Sequence, residues 1–120
     1  MNAEDKSKQP IILPLPPDVL VPPTTGRPDA FFAMDVYAAV IIKAASRLGL
    51  NVPKDISVVG FDNTEISVMI EPSITTVNQP RFQLGSFACD LLIDKIINPT
   101  LPNKHMLLDT ELIVRDSTLT

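Results

Sequence analysis

The chain has 120 residues, 45% of them hydrophobic and 20% charged, with 14 acidic against 10 basic side chains and a net charge of −4. A domain takes about 100 to 200 residues, so this length holds one. The composition excludes a disordered or membrane-spanning chain. An acidic balance without a basic cluster excludes a phosphate-tracking surface for nucleic acid in the chain itself.

The amino terminus "MNAEDKSKQ" mixes both charge signs. The "IILPLPPDVLVPP" that follows is too short and too proline-broken for a secretory apolar region or a membrane span. Cytoplasmic residence without membrane contact is therefore the expectation. Seven of the 12 prolines are Pro10, Pro14, Pro16, Pro17, Pro22, Pro23 and Pro28. Proline removes a donor and turns the preceding residue away from helix. Residues 1–27 thus read as a largely irregular leader, and residues 28–120 as the folding part. The leader is either an extended stretch without a role of its own or a polyproline-type ligand for an aromatic groove.

"DAFFAM", residues 29–34, is apolar without alternation and reads as a short buried strand. Asp35 follows as a helix N-cap candidate. "VYAAVIIKAASRLGL" then carries helix formers over about four turns, with Arg47 in the last turn, Gly49 at the C-cap and Pro53 beyond. On the helical wheel Tyr37, Val40, Ile41, Ala44 and Leu48 make one face. Ala38, Ile42 and Ala45 widen it past the stripe that packing on one sheet requires. The second side needs a cover, from this chain or from another subunit, and periodicity leaves both open.

"ISVVGF", residues 56–61, is the second buried strand. Strand, helix, strand in this order is a right-handed βαβ unit of a parallel sheet. In open α/β sheets ligands sit beyond the carboxyl ends of the strands, where this strand delivers Asp62. Gly60 just before it lets a backbone or a ligand come close. Two roles for Asp62 stand open at this point: an acceptor facing a crevice, or a cap on the turn into "NTEISVMI".

"PSITTVNQ" reads as an extended crossing segment rich in β-branched residues, and Pro80 as the first helical residue after an Asn78 or Gln79 cap. The helix "PRFQLGSFACDLLIDKIIN" puts Leu84, Phe87, Ala88 and Leu91 on one stripe and Cys89, Leu92, Ile93 and Ile96 on the next, with Gln83, Asp90 and Asp94 on the wet side. "PTLPNK" is a loop, and "LLDTELIVR" a closing strand. Cys89, the single cysteine, reads as a buried thiol rather than a nucleophile. It closes no internal disulfide, which fits a reducing compartment.

Catalytic arrangements fare poorly. The one histidine, His105, lies in a Pro/Asn-rich loop and reads as solvated, and no serine sits in a G-x-S-x-G elbow. One Cys and one distant His give no metal spacing. Neither a G-x-G-x-x-G nor a G-x-x-x-x-G-K-[ST] stretch occurs. No enzyme, metal or cofactor is expected.

"PDAFFAMD", "LGLNVPKDISVVGFDN", "EPSITTVNQP", "LGSFACDLLIDKI" and "ELIVRDST", in this order and spacing, resemble the carboxyl-terminal part of the lactose and galactose repressor family. The resemblance covers residues 28 to 119. It implies a periplasmic-binding-protein-like sensor in which two Rossmann-like halves close on a small-molecule effector, usually a sugar, and reset an amino-terminal DNA-binding headpiece. The headpiece and most of the first half have no counterpart here. The helix 80–97 would belong to the first half and the final strand would cross back.

The same resemblance implies that Asp62 hydrogen-bonds effector hydroxyls, two acceptor oxygens suiting a sugar diol. It places Asp35 in an Asn-Asp pair whose asparagine is Met34 here, and Gln79 where the crossing segment meets the cleft. It further implies a dimer surface made by Ala38, Ile42 and Ala45 of the first helix together with Ile66, Met69 and Ile70 of "TEISVMIEP".

The fold expected is α/β, an incomplete Rossmann-like parallel sheet of a periplasmic-binding-protein-like sensor domain. The function expected is a truncated, non-enzymatic effector domain of a transcriptional regulator, acting by ligand-dependent population shift. Its partners would be a sugar-like effector and a second copy or a full-length relative, with DNA reached only through the absent headpiece. The rivals are a solute-binding protein of an uptake system, which shares the fold, and a free-standing dimerisation module or gene remnant.

Overall fold

The structure is a computed structural model and describes residues 28–119; the expected leader, residues 1–27, lies outside them. Strand β1 spans Ala30–Phe32, and Asp35–Arg47 form helix α1. Gly49, at φ 75°, ends that helix in the left-handed region that glycine enters without a Cβ clash. Strand β2, Ser57–Phe61, pairs parallel with β1, Phe31 opposite Val58. A short helix α2, Ile66–Met69, leads to strand β3, Thr75–Asn78, which pairs parallel with β2, Gly60 opposite Thr76. Helix α3, Arg81–Ile97, then leaves the sheet. Strand β4, Glu111–Ile113, returns antiparallel to β3 and completes one four-stranded sheet in the order β1-β2-β3-β4. The expected α/β fold with a parallel-dominant, incomplete sheet is what forms.

The core lies between α1 and one face of the sheet. Ala38, Ala39, Ile41, Ile42 and Ala45 of the helix meet Phe31, Ile56, Val58 and Ile74, all of them buried. Ile66 and Ile70 pack against this cluster from the side. On the other face Phe32 meets Phe61 edge to face at 6.0 Å, and Phe32 stays 63% exposed.

The carboxyl-terminal "RDST" seals the sheet. The Val58 N–H donates to Ser117 O at 2.9 Å, filling a place in the ladder that β3, starting at Thr75, does not reach. The Thr75 N–H donates to Ser117 Oγ at 2.8 Å, the Ser117 hydroxyl donates to Val58 O, and Ser73 donates to Asp116 at 2.6 Å. Ser117 is fully buried, and no buried side-chain polar atom among the described residues lacks a partner.

Several expectations are corrected here. "DAFFAM" is not buried throughout: Phe31 is buried and Ala33 packs half-buried against the core, while Ala30, Phe32 and Met34 are exposed, because α1 covers a single face of the sheet. The buried face of α1 is rotated from the expected one and keeps Ile41 inside. Ala38, Ile42 and Ala45, expected at a dimer surface, are buried inside this chain because they are the residues that meet the sheet, while Tyr37, Val40 and Leu48 stay exposed. Of Ile66, Met69 and Ile70 only Met69 is well exposed, at 80%, since the two isoleucines turn toward the core. Helix α3 begins at Arg81 with Pro80 at the cap, one residue later than expected, and none of its residues is buried. Cys89 is therefore an exposed thiol, because no described element lies over the helix that carries it.

Candidate functional site

At the carboxyl edge of the parallel strands two consecutive non-glycine residues enter the positive-φ region. Asp62 and Asn63 follow β2 with φ of 99° and 47°. L-residues rarely enter this region, and Asp and Asn tolerate it best. The Asp62 N–H still continues the ladder, donating to Val77 O at 2.9 Å. Its half-buried side chain reaches across to the residue just past β3, where Gln79 Nε2 donates to Asp62 Oδ1 at 2.5 Å. Two of the three expected ligand contacts, Asp62 and Gln79, are thus joined at one point of the strand edge.

Asp35 is elsewhere. It is the first residue of α1, not its N-cap, which is Met34. With 1% exposure it lies beneath the edge. Its Oδ2 accepts from the Thr64 N–H at 2.6 Å and the Thr64 hydroxyl at 2.9 Å, and its Oδ1 from the Thr76 hydroxyl at 2.6 Å. Both oxygens are occupied by the chain itself, so the expected effector contact at Asp35 is corrected to an internal brace. Gly60 is the reason the brace fits: a Cβ there would overlap Asp35 Oδ1 and press on Ile74 at 2.9 Å and Thr76 at 3.0 Å. The close approach expected at this glycine is made by the chain's own carboxyl group.

Asn63 is the residue that sequence reasoning missed. Its N–H donates to Thr76 Oγ1 at 3.3 Å, and its Nδ2 donates to Asn78 Oδ1 at 3.2 Å. Its Oδ1 accepts from Arg115 Nη2 at 2.7 Å. The signal available was the Asp-Asn pair itself, the residues best able to hold consecutive positive φ. Beside this turn an open hollow of about 320 Å³ is lined by Asn63, Thr64, Glu65, Val68, Arg81 and Arg115. His105 is exposed in its loop. Among the described residues no group of His, Cys, Asp or Glu is gathered as a metal would need, and no helix is long and apolar enough to cross a membrane.

The polar edge thus lies at the carboxyl ends of parallel strands, where open α/β sheets hold their ligands. The sequence pattern of the periplasmic binding protein-like domain matches residues 4–118. The transcriptional regulator MalR of Clostridium butyricum is 48% identical over 89 residues, 73% of this chain and 26% of that protein. The repressor CytR of Escherichia coli K12 is 39% identical over 101 residues, 84% of this chain and 28% of that protein. A LacI family regulator from Enterococcus faecium, solved with bound ribose, superposes with a TM-score of 0.65 at 32% identity, over 74% of this chain and 34% of that one. The chain belongs to the periplasmic-binding-protein-like family, and these relatives are transcriptional regulators and repressors. It spans little more than a quarter of the curated relatives' length.

Proposed function

We propose that this chain is effector-sensing material of a LacI-type transcriptional regulator, non-enzymatic and cytoplasmic, taking a sugar at the carboxyl edge of its parallel strands. Residues 28–120 would form the sensing part behind a separate leader of residues 1–27. DNA would be reached only through a headpiece, and a second copy or a full-length relative would be its protein partner. The observation that carries the reading is Asp62. It holds a positive φ, costing about 1 to 3 kcal/mol, and spends its side chain on Gln79 across the edge rather than on capping its own turn. A carboxyl and an amide fixed side by side offer acceptors and a donor to neighbouring hydroxyls. The ribose in the Enterococcus faecium neighbour supports a sugar as the ligand class.

The test is a titration of D-ribose, D-galactose and cellobiose into the ¹⁵N-labelled chain. One sugar is expected to move the amide signals of Asp62, Asn63 and Gln79 at millimolar concentration while those of Ile41 and Ile42 stay still. Sugar-induced shifts that avoid the strand edge would overturn the reading.

A further inference from the structure

Arg115 lies just past β4, 52 residues from Asn63 in sequence, and is half-buried against the turn that follows β2. Its Nη2 donates to Asn63 Oδ1 at 2.7 Å; its Nη1 donates to Ser67 Oγ at 3.0 Å and to Ile74 O at 2.8 Å. The Arg115 N–H also donates to Thr75 Oγ1 at 2.8 Å, fixing the backbone from which the side chain starts. One planar fork therefore joins three segments: the turn after β2, helix α2 and the residue before β3. The partners are all neutral oxygens, so what the guanidinium supplies is two donor arms in fixed geometry rather than an ion pair.

We propose that Arg115 is a positioning residue, holding the Asp62–Asn63 turn in its positive-φ conformation so that Asp62 faces the strand edge. The proposal rests on the reading of Asp62 as the effector contact. From below, Asp35 grips the same turn through Thr64, and through Thr76, whose hydroxyl accepts from the Asn63 N–H. From the side, Asn78 holds Asn63. Arg115 is the clamp that comes from the carboxyl-terminal segment, and it ties the order of that segment to the orientation of Asp62.

The test is amide hydrogen exchange by NMR on the chain, its Arg115→Lys variant and its Arg115→Gln variant, with thermal melts alongside. Lysine keeps the positive charge but has a single nitrogen and cannot span Asn63 and Ile74 together. Both variants are expected to quicken exchange at Asp62, Asn63, Thr64 and Ser67 by about tenfold or more, with Ile41 and Ile42 of α1 unchanged. Equal acceleration at turn and core would mean a general contribution to stability, and unchanged exchange at the turn would mean no clamp; either result overturns the proposal. Should Arg115→Gln not fold, Asn63→Gly removes the acceptor at a φ that glycine accepts, and it must quicken Asp62 and Thr64 in the same selective way or the proposal fails. No sugar enters this experiment. A rigid turn in the variants would sink the clamp alone, while sugar-induced shifts that avoid a well-ordered Asp62 would sink the effector reading alone.

Discussion

The carboxyl group of Asp35 occupies the space that a side chain on Gly60 would need, so that helix α1 and strand β2 meet through an acid laid directly on bare backbone. The oxygens of Asp35 then reach Thr76 on β3 and Thr64 in the turn after β2. One buried residue thereby ties together the elements that shape the strand edge. The glycine is as much a part of this brace as the acid.

Gly60→Ala is expected to destabilise the fold. The added Cβ meets Asp35 Oδ1, Ile74 and Thr76, and all three are fully buried and have nowhere to move. Overpacking of this kind costs about 1 to 3 kcal/mol, and each kcal/mol lowers the melting temperature of a domain this small by about 4 to 8 °C. A thermal melt reads it directly, and an unchanged midpoint would show that Asp35 is not seated on Gly60.

Asp35→Ala removes the acceptor for three donors, two of which come from Thr64 and one from the buried Thr76. A stranded buried donor costs about 1 to 3 kcal/mol. Asp35→Ala and Thr76→Val in combination should cost less than the sum of the two, because they break one shared bond. Strict additivity in a double-mutant cycle measured by urea unfolding would contradict the brace.

Asp62→Gly separates a ligand role from a turn-holding one more cleanly than alanine, since Asp62 sits at φ 99° and glycine relaxes there. The melting temperature is expected to hold or rise. Sugar affinity at the strand edge is expected to fall about ten- to a hundredfold with the loss of the carboxyl acceptor. If the melt drops sharply and sugar-induced shifts survive, Asp62 serves the turn and not the ligand.

Self-association should depend on the outer face of α1 and not on the face first expected. Val40 and Met69 are 60% and 80% exposed, and with Tyr37, Leu48 and Val68 they give α1 and α2 uncovered apolar surface. Val40→Glu is expected to shift sedimentation toward monomer with the fold intact. Ile42→Glu, placing a carboxyl at a site 3% exposed, is expected to unfold the chain rather than dissociate it. Val40→Glu without effect on the sedimentation profile would remove this face from consideration.

The order β1, α1, β2, the parallel pairing that this order requires and the arrival of Asp62 at a carboxyl strand edge were all legible along the chain. Each of these follows from local patterns: apolar runs of strand length, a helix closed at Gly49, and the handedness of a βαβ unit. The repressor-like stretches were legible for the same reason, being contiguous words in the chain. Which face of α1 is inside was not legible, because a helix apolar on two sides satisfies either orientation until a sheet is laid against one of them. The fate of Cys89 likewise depended on whether anything covers α3, which no residue of α3 encodes. That Asp35 is buried under Gly60 rather than open to a ligand, and that Arg115 returns across the chain to hold Asn63, came from the packing of the whole sheet. Those contacts join residues 25 and 52 positions apart, and hydrogen-bond geometry at such a separation is set by the packing of the strands between them, not by any pattern along the chain.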